Sequence, residues 1–185
     1  DQDLIIDPGV EWSTYFGGSG QDVTDGALAD ISGNLFLYGS TTSFGLGQGG
    51  FQDSIAGTLD IFISKFDANG NKLWSTYYGG NGNENSGLNN DANNIATDLQ
   101  GNVYISGGTN STSNIANGGF LNSFSGTNGS AFLVKLDSNG NRLWATYYGY
   151  NRQEKGTSVA VDGSGNVYLA GSTNSLTGIG SGGFQ

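Results

Sequence analysis

The sequence predicts an all-β chain assembled from repeated units of four short antiparallel strands, and three observations carry that prediction. The stretch "DANGNKLWSTYYGG" at 67–80 returns as "DSNGNRLWATYYGY" at 137–150, with a partial copy, "EWSTYFGG", at 11–18. Gly accounts for 34 of 185 residues while Pro occurs once, and aromatics make up 12%. Gly combined with Tyr, Phe, Trp and Val, without Pro, is the composition of short strands joined by tight turns. Finally, the landmarks of the repeat keep a fixed order. Trp12, Trp74 and Trp144 precede Asp30, Asp98 and Asp162 by 18, 24 and 18 residues, and Lys65 and Lys135 precede the next Trp by 9.

The register between Trp residues is therefore 62 and then 70 residues. Six of the additional residues fall between Trp74 and Asp98, and two between Asp98 and Lys135. Residues 1–9 are a lead-in, and 10–17 reads as an isolated outer strand. Each unit then offers four strand-like runs, A to D. In the second unit these are "NNIATD" (93–98), "NVYISGG" (102–108), "SAFLVKLD" (130–137) and "NRLWATYYG" (141–149). All are rich in β-branched and aromatic residues. A joins B through "DLQGN" and C joins D through "DSNGN", where Asp opens a tight turn and Gly takes the positive-φ position. The B–C link, "STTSFGLGQGGFQDSIAGT" in the first unit, is long for a hairpin and marks a functional or packed loop.

Four antiparallel strands at this spacing describe blades of a β-propeller. Runs such as "AFLVKL" and "VYLAG" are apolar on both faces, as in sheets packed face to face. The recurrent Trp is read as a wedge between blades. The units are expected at about 23–79, 92–149 and 156–185, the last incomplete, with 10–17 closing the ring as an outer strand. Fewer than three blades are present, against the four to eight of a closed propeller, roughly 250 to 560 residues at this repeat length. The expectation is an arc of a longer propeller, with self-assembly of several copies as the alternative.

"WSTYYGG", "GNVYLAGSTNS", "GGFQ" and "AFLVKLDSNGNRLW" resemble the bacterial β-propeller repeat known as SBBP, and the resemblance runs from about Val10 onward. It implies a secreted or cell-surface protein, commonly of Bacteroidota and exported by the type IX system within a long multidomain chain. It supplies no catalytic residues.

Composition narrows the function. A net charge of -10 opposes binding to nucleic acid or to an anionic membrane surface. No apolar run is long enough to span a bilayer. The N-terminus shows no basic segment followed by an apolar one, so no signal peptide is visible. With no His and no Cys, the usual general base, the commonest transition-metal ligand and the usual nucleophilic triads are missing. The six basic residues are scattered; several recur at equivalent positions (Lys65 with Lys135, Lys72 with Arg142) and read as solvated strand-edge charges.

Successive hairpins alternate ends, so D–A and B–C loops share one face, and all the length variation lies there. The ligand-contacting candidates on that face are Asn83, Glu84, Asn85 and Asp91 from the loop 80–92, and Tyr150 and Arg152 from 149–156, suited to a glycan or a surface protein. Neither a catalytic residue nor a metal site is assigned, and no cofactor is expected. The turn at Asp67 fails the EF-hand pattern because Lys72 and Tyr78 occupy its sixth and twelfth positions. Calcium held by Asp91, Glu84 or main-chain oxygens is the alternative. Most acids recur with the turns, whereas Glu84, Asp91 and Glu154 read as non-repeating. A polysaccharide-acting enzyme built on these acids is the competing class of function, and a pure structural spacer is a third.

Overall fold

In a computed structural model, residues 9–85, 94–124 and 128–180 are described. All regular structure among them is β. Strands β1 (Asp22–Ala29), β2 (Leu35–Thr41), β3 (Asp60–Phe66) and β4 (Lys72–Tyr78) form one antiparallel sheet in sequence order. The second sheet holds β5 (Glu84–Asn85), β6 (Ile95–Thr97), β7 (Val103–Thr109), β8 (Ser130–Leu136) and β9 (Arg142–Tyr148). A third, two-stranded sheet pairs β10 (Glu154–Val161) with β11 (Val167–Thr173).

The A strand begins earlier than the sequence predicts. β1 and β10 start at Asp22 and Glu154, and each carries a bulge, between Thr24 and Gly26 and between Gly156 and Ser158. In the second unit the same strand is split. β5 pairs with the end of β7 and β6 with its beginning, and the longer stretch between Trp74 and Asp98 separates them. The additional residues therefore enter within the A strand, at the place where its counterparts bulge.

Alternation along the strands sorts side chains between neighbouring sheets. Phe36, Tyr38, Ile61 and Ile63 of the first sheet meet Val103, Ile105, Phe132 and Val134 of the second. Leu133 and Tyr104 turn the other way, toward Val159 and Leu169 of the third. Phe62 and Tyr77 back onto Phe16. A sheet with both faces covered requires continuous apolar runs, which is why β3 is buried throughout.

Five "D-x-x-G-N" turns close the A–B and C–D hairpins, each with Gly at positive φ, from 77° to 83°. In the turn at Asp137, the carboxylate accepts the main-chain N–H groups of Asn139 and Asn141, both at 2.9 Å. The turn glycine has a second role. Trp74 lies over Gly140 of the next unit, where an added Cβ would stand 2.9 Å from the ring, and its indole N–H donates to the Ser138 carbonyl at 3.0 Å. Trp12 lies over Gly70 in the same way, an added Cβ there meeting the ring at 2.7 Å.

The segment 10–17 repeats this seat but forms no strand. β4 and β9 each have a C strand on one side and their own B–C link on the other. Among the described residues, 10–17 has neither, so it packs through Trp12 and Phe16 without a ladder. The lysines also depart from the solvated edges expected of them. Lys65 is buried over the Phe36 ring, 5.1 Å from its centroid, and donates to the Ser138 carbonyl at 3.3 Å. Lys135 lies over Tyr104 and pairs with Asp98 at 3.5 Å. Their aliphatic stems fill space between sheets while the ammonium finds fixed partners.

A test of the Trp–Gly seam follows. Gly140→Ala is expected to destabilise by more than Gly165→Ala, whose added Cβ meets nothing within 4 Å although both glycines have similar φ. The left-handed backbone alone costs about 1–2 kcal/mol, so in thermal or denaturant unfolding the excess at Gly140 measures the Trp74 contact.

Candidate functional site

The ends of the sheets that carry the D–A loops are organised by one carboxylate per unit. Glu84 accepts the Gly80 N–H at 2.8 Å, the Thr109 hydroxyl at 2.6 Å and the Ser111 hydroxyl. Asp22 repeats the set with Gly18 N–H at 2.8 Å, Thr41 at 2.5 Å and Ser43 at 2.9 Å. Glu154 repeats it with Tyr150 N–H at 3.3 Å, Thr173 at 3.2 Å and Ser175. Each acid stands ten residues after the unit's Trp, and its hydroxyl partners form a Thr-x-Ser at 41–43, 109–111 and 173–175.

Glu84 and Glu154 are therefore repeating acids, contrary to the sequence reading. Glu84 is 0% exposed and cannot meet a ligand from solvent. The competing enzyme reading loses two of its three named acids, since both oxygens of Glu84 and of Glu154 are engaged within the fold. Burial pushes the Glu84 carboxyl above the ordinary range despite its three donors, with neighbouring Asp60 adding to the rise. Asp60, also fully buried, is raised by burial in the same way, against bonds from Ala56, Gly57 and Gln52. At Asp22, burial opposes ionisation less than its hydrogen bonds favour it, and the carboxyl is lowered.

The B–C link is a packed loop. Gln48 exchanges main-chain hydrogen bonds with Ser75 at 2.7 and 2.9 Å, and Tyr77 N–H donates to the Gln52 carbonyl at 2.9 Å. Asn117 and Leu121 serve Ala145 and Tyr147 identically at 2.9 Å. The link thus covers the free edge of the D strand. Edge covering removes the unpaired N–H and C=O groups that invite foreign strands.

On the loop face, Leu59 of the first unit, Asn83, Asn110 and Asn128 of the second, and Gln153 and Lys155 of the third line a groove of about 340 Å³. Asn83 is the one predicted candidate that lines it. Its side-chain oxygen accepts the Thr58 hydroxyl and its N–H donates to the Asn110 side chain at 2.6 Å. The side-chain amides of Asn128 and Gln153 make no hydrogen bond among the described residues. Asn85 pairs through its backbone with Gly108 in β5. Asp91 lies outside the described residues. Tyr150 covers Gly178, and Arg152 lies exposed on the adjoining loop with its N–H on the Ser175 hydroxyl at 3.2 Å. The candidates are thus divided between two loops. Asn110 and Asn128 were missed because they lie in the polar B–C link, whereas Gln153 and Lys155 fall inside the loop 149–156 that the sequence singled out, beside the residues chosen from it. Among the described residues, no group of three or more acidic side chains could hold a metal ion.

With this geometry in hand, similarity to known proteins can be placed on it. A family model described as SBBP, a β-propeller repeat, matches residues 143–178, from the D strand of the second unit through β11. An uncharacterized WD repeat-containing protein of Acanthamoeba polyphaga mimivirus is 32% identical over 129 residues. That match covers 65% of this chain but spans only 8% of the viral protein.

Two outcomes are expected. Glu84→Ala strands two hydroxyls and an N–H in a buried site and should destabilise by about 2–4 kcal/mol in denaturant unfolding. The pH profile should have two limbs. Asn71 and Asn166, with nearby main-chain N–H groups, hold the Asp67 and Asp162 carboxyls low, Asp162 at about 2. Their stabilisation is present above the unfolded value of about 3.9 and is lost as pH falls below it. For the raised Asp60 and Glu84, stabilisation is present below about 4 and is lost as pH rises through their folded values. The melting temperature should therefore climb on acidification from neutral pH and fall again below about pH 4, with a smaller climb in Glu84→Gln.

Proposed function

We propose that the chain forms blades of a β-propeller that serves as a non-catalytic interaction module, with its loop face as the binding surface. The unit acids carry this reading: Asp22, Glu84 and Glu154 are engaged by hydroxyl and N–H donors of their own units, so the recurrent carboxylates act as structural clasps. The repeat match at 143–178 and the WD-repeat relative support a scaffold of this kind.

The ligand best suited to the groove is a neutral polar one, and we favour a glycan on a bacterial cell surface or outside the cell. A primary amide presents a donor and an acceptor side by side, which matches adjacent sugar hydroxyls. Asn128 and Gln153 offer two such amides without side-chain hydrogen bonds among the described residues, and a groove of about 340 Å³ lies within the range of small-ligand sites. Lys155 at its margin adds a polar contact. Calcium through Asp91 stays a proposal of lower rank, because Glu84, its suggested companion, is committed elsewhere. On this reading the propeller is completed by further blades, and a protein ligand would use the same face.

Screening the purified chain against an array of bacterial surface polysaccharides should reveal binding that Gln153→Ala and Asn128→Ala each weaken at least tenfold with an unchanged melting temperature. Turnover of any captured polysaccharide would contradict the assignment, as would normal binding by the double variant.

A further inference from the structure

Five Asn–Gly steps occur in the chain, at 69–70, 81–82, 117–118, 128–129 and 139–140. Such a step has a chemistry of its own. The glycine amide nitrogen can attack the Asn side-chain carbonyl carbon, because no Cβ on the following residue obstructs the approach. Ring closure requires a glycine N–H free of other bonds, an Asn side chain free to turn, and a backbone between them able to rotate. The fold treats the five steps unequally.

Gly70 and Gly140 donate their N–H groups to the Asp67 and Asp137 carbonyls inside the hairpin turns, both at 3.0 Å. Gly82 donates to the Ser111 hydroxyl at 2.7 Å, and the Asn81 side-chain oxygen accepts the Thr112 N–H at 2.9 Å. Asn117 bonds Ala145 through both its N–H and its carbonyl at 2.9 Å, which fixes the peptide leading into Gly118. At 128–129 each of these restraints is missing among the described residues. Asn128 is exposed, and neither its main chain nor its side chain makes a hydrogen bond there. The Gly129 N–H makes none either.

The preceding seam shows what restraint has been lost. Thr58 and Asn128 stand at equivalent places, each one residue before a carbonyl that accepts the N–H of the next unit's clasp acid. That bond is 2.8 Å from Glu84 to Leu59 and 3.3 Å from Glu154 to Gly129. The Thr58 hydroxyl is tied to the Asn83 side chain. Asn128 and Gln153 replace that pair, and no hydrogen bond joins them.

We infer that Asn128 is a self-modifying position, its amide converted to a carboxylate through a succinimide closed with Gly129. The Gly129 nitrogen loses its proton to solvent base and bonds to the Asn128 Cγ. The Cγ–Nδ2 bond breaks, and the side-chain nitrogen takes up a proton and leaves as ammonia. Water then opens the ring at either carbonyl, giving an aspartyl or an isoaspartyl residue, with no oxidant or reductant involved. A neutral groove amide thereby becomes a negative charge. An amide donates and accepts hydrogen bonds, whereas a carboxylate only accepts them. Conversion therefore weakens the groove for a neutral glycan; this consequence rests on the glycan reading, and the ring chemistry does not.

The test is peptide mapping by mass spectrometry on the purified full chain, kept in mildly alkaline buffer either folded or in denaturant. Unfolded, the five steps should convert at comparable rates. Folding is expected to slow Asn69, Asn81, Asn117 and Asn139 at least tenfold and to leave Asn128 within a few-fold of its unfolded rate, with isoaspartate found at 128. Slowing at Asn128 as large as at the other four overturns the inference, as does faster conversion at any of them. The consequence for binding is read separately, with Asn128→Asp on the polysaccharide array. Binding at least tenfold weaker supports it, and undiminished binding overturns the use of Asn128 by the groove without touching the conversion rates.

Discussion

An indole ring lying flat on a glycine is the contact on which the arrangement of sheets depends. A hairpin turn needs a residue at positive φ, which favours Gly for backbone reasons alone. The absence of a Cβ also leaves a flat patch of main chain, and the Trp of the preceding unit occupies it. Trp74 on Gly140 and Trp12 on Gly70 are the same event twice. Because the Trp74 indole N–H is also bonded to the Ser138 carbonyl of that turn, its seat has a direction as well as a shape. The remaining seam contacts, Phe51 with Arg142 and Tyr78 with Phe132, are brought into place by it.

The rest of the repeated stretch has similarly divided tasks. In "WSTYYGG", Ser75 and Thr76 hold the B–C link against the strand edge, and Tyr77 anchors the start of that link through Ser43 and Leu46. Tyr78 reaches the next unit, and Gly80 donates to the clasp acid. A chain so committed to internal bonding has little chemistry to spare at these positions. On the proposed reading, recognition falls to the exposed amides of Asn128 and Gln153 in the loop-face groove, which make no hydrogen bond among the described residues.

Much of this was legible in the sequence. The Asp and Gly of each turn announce hairpins, and the both-face apolar runs announce stacked sheets. The spacing of Trp to the preceding turn is constant because the seam requires it. Three features were hidden. The clasp acid changes from Asp22 to Glu84 and Glu154, and the insertion within the second A strand disturbs the spacing on its far side, so Glu84 looked like loop chemistry. The ten-residue interval from each Trp is the signal that identifies it. The B–C link has loop composition, yet it pairs through main-chain groups that composition does not report. Lys65 and Lys135 looked solvated because charge alone conceals how long stems pack between sheets. At the candidate site, the sequence named Asn83, whereas Gln153 of the third unit joins it in lining the groove only once two units are stacked.

The most direct measurement is a double-mutant cycle between Trp74→Ala and Gly140→Ala, read by denaturant unfolding. If the ring rests on the glycine, removing it makes room for the added methyl, and the cost of Gly140→Ala should fall by at least about 1 kcal/mol in the Trp74→Ala background. Additivity within about 0.5 kcal/mol would contradict the seam, because the two residues would then contribute to stability independently.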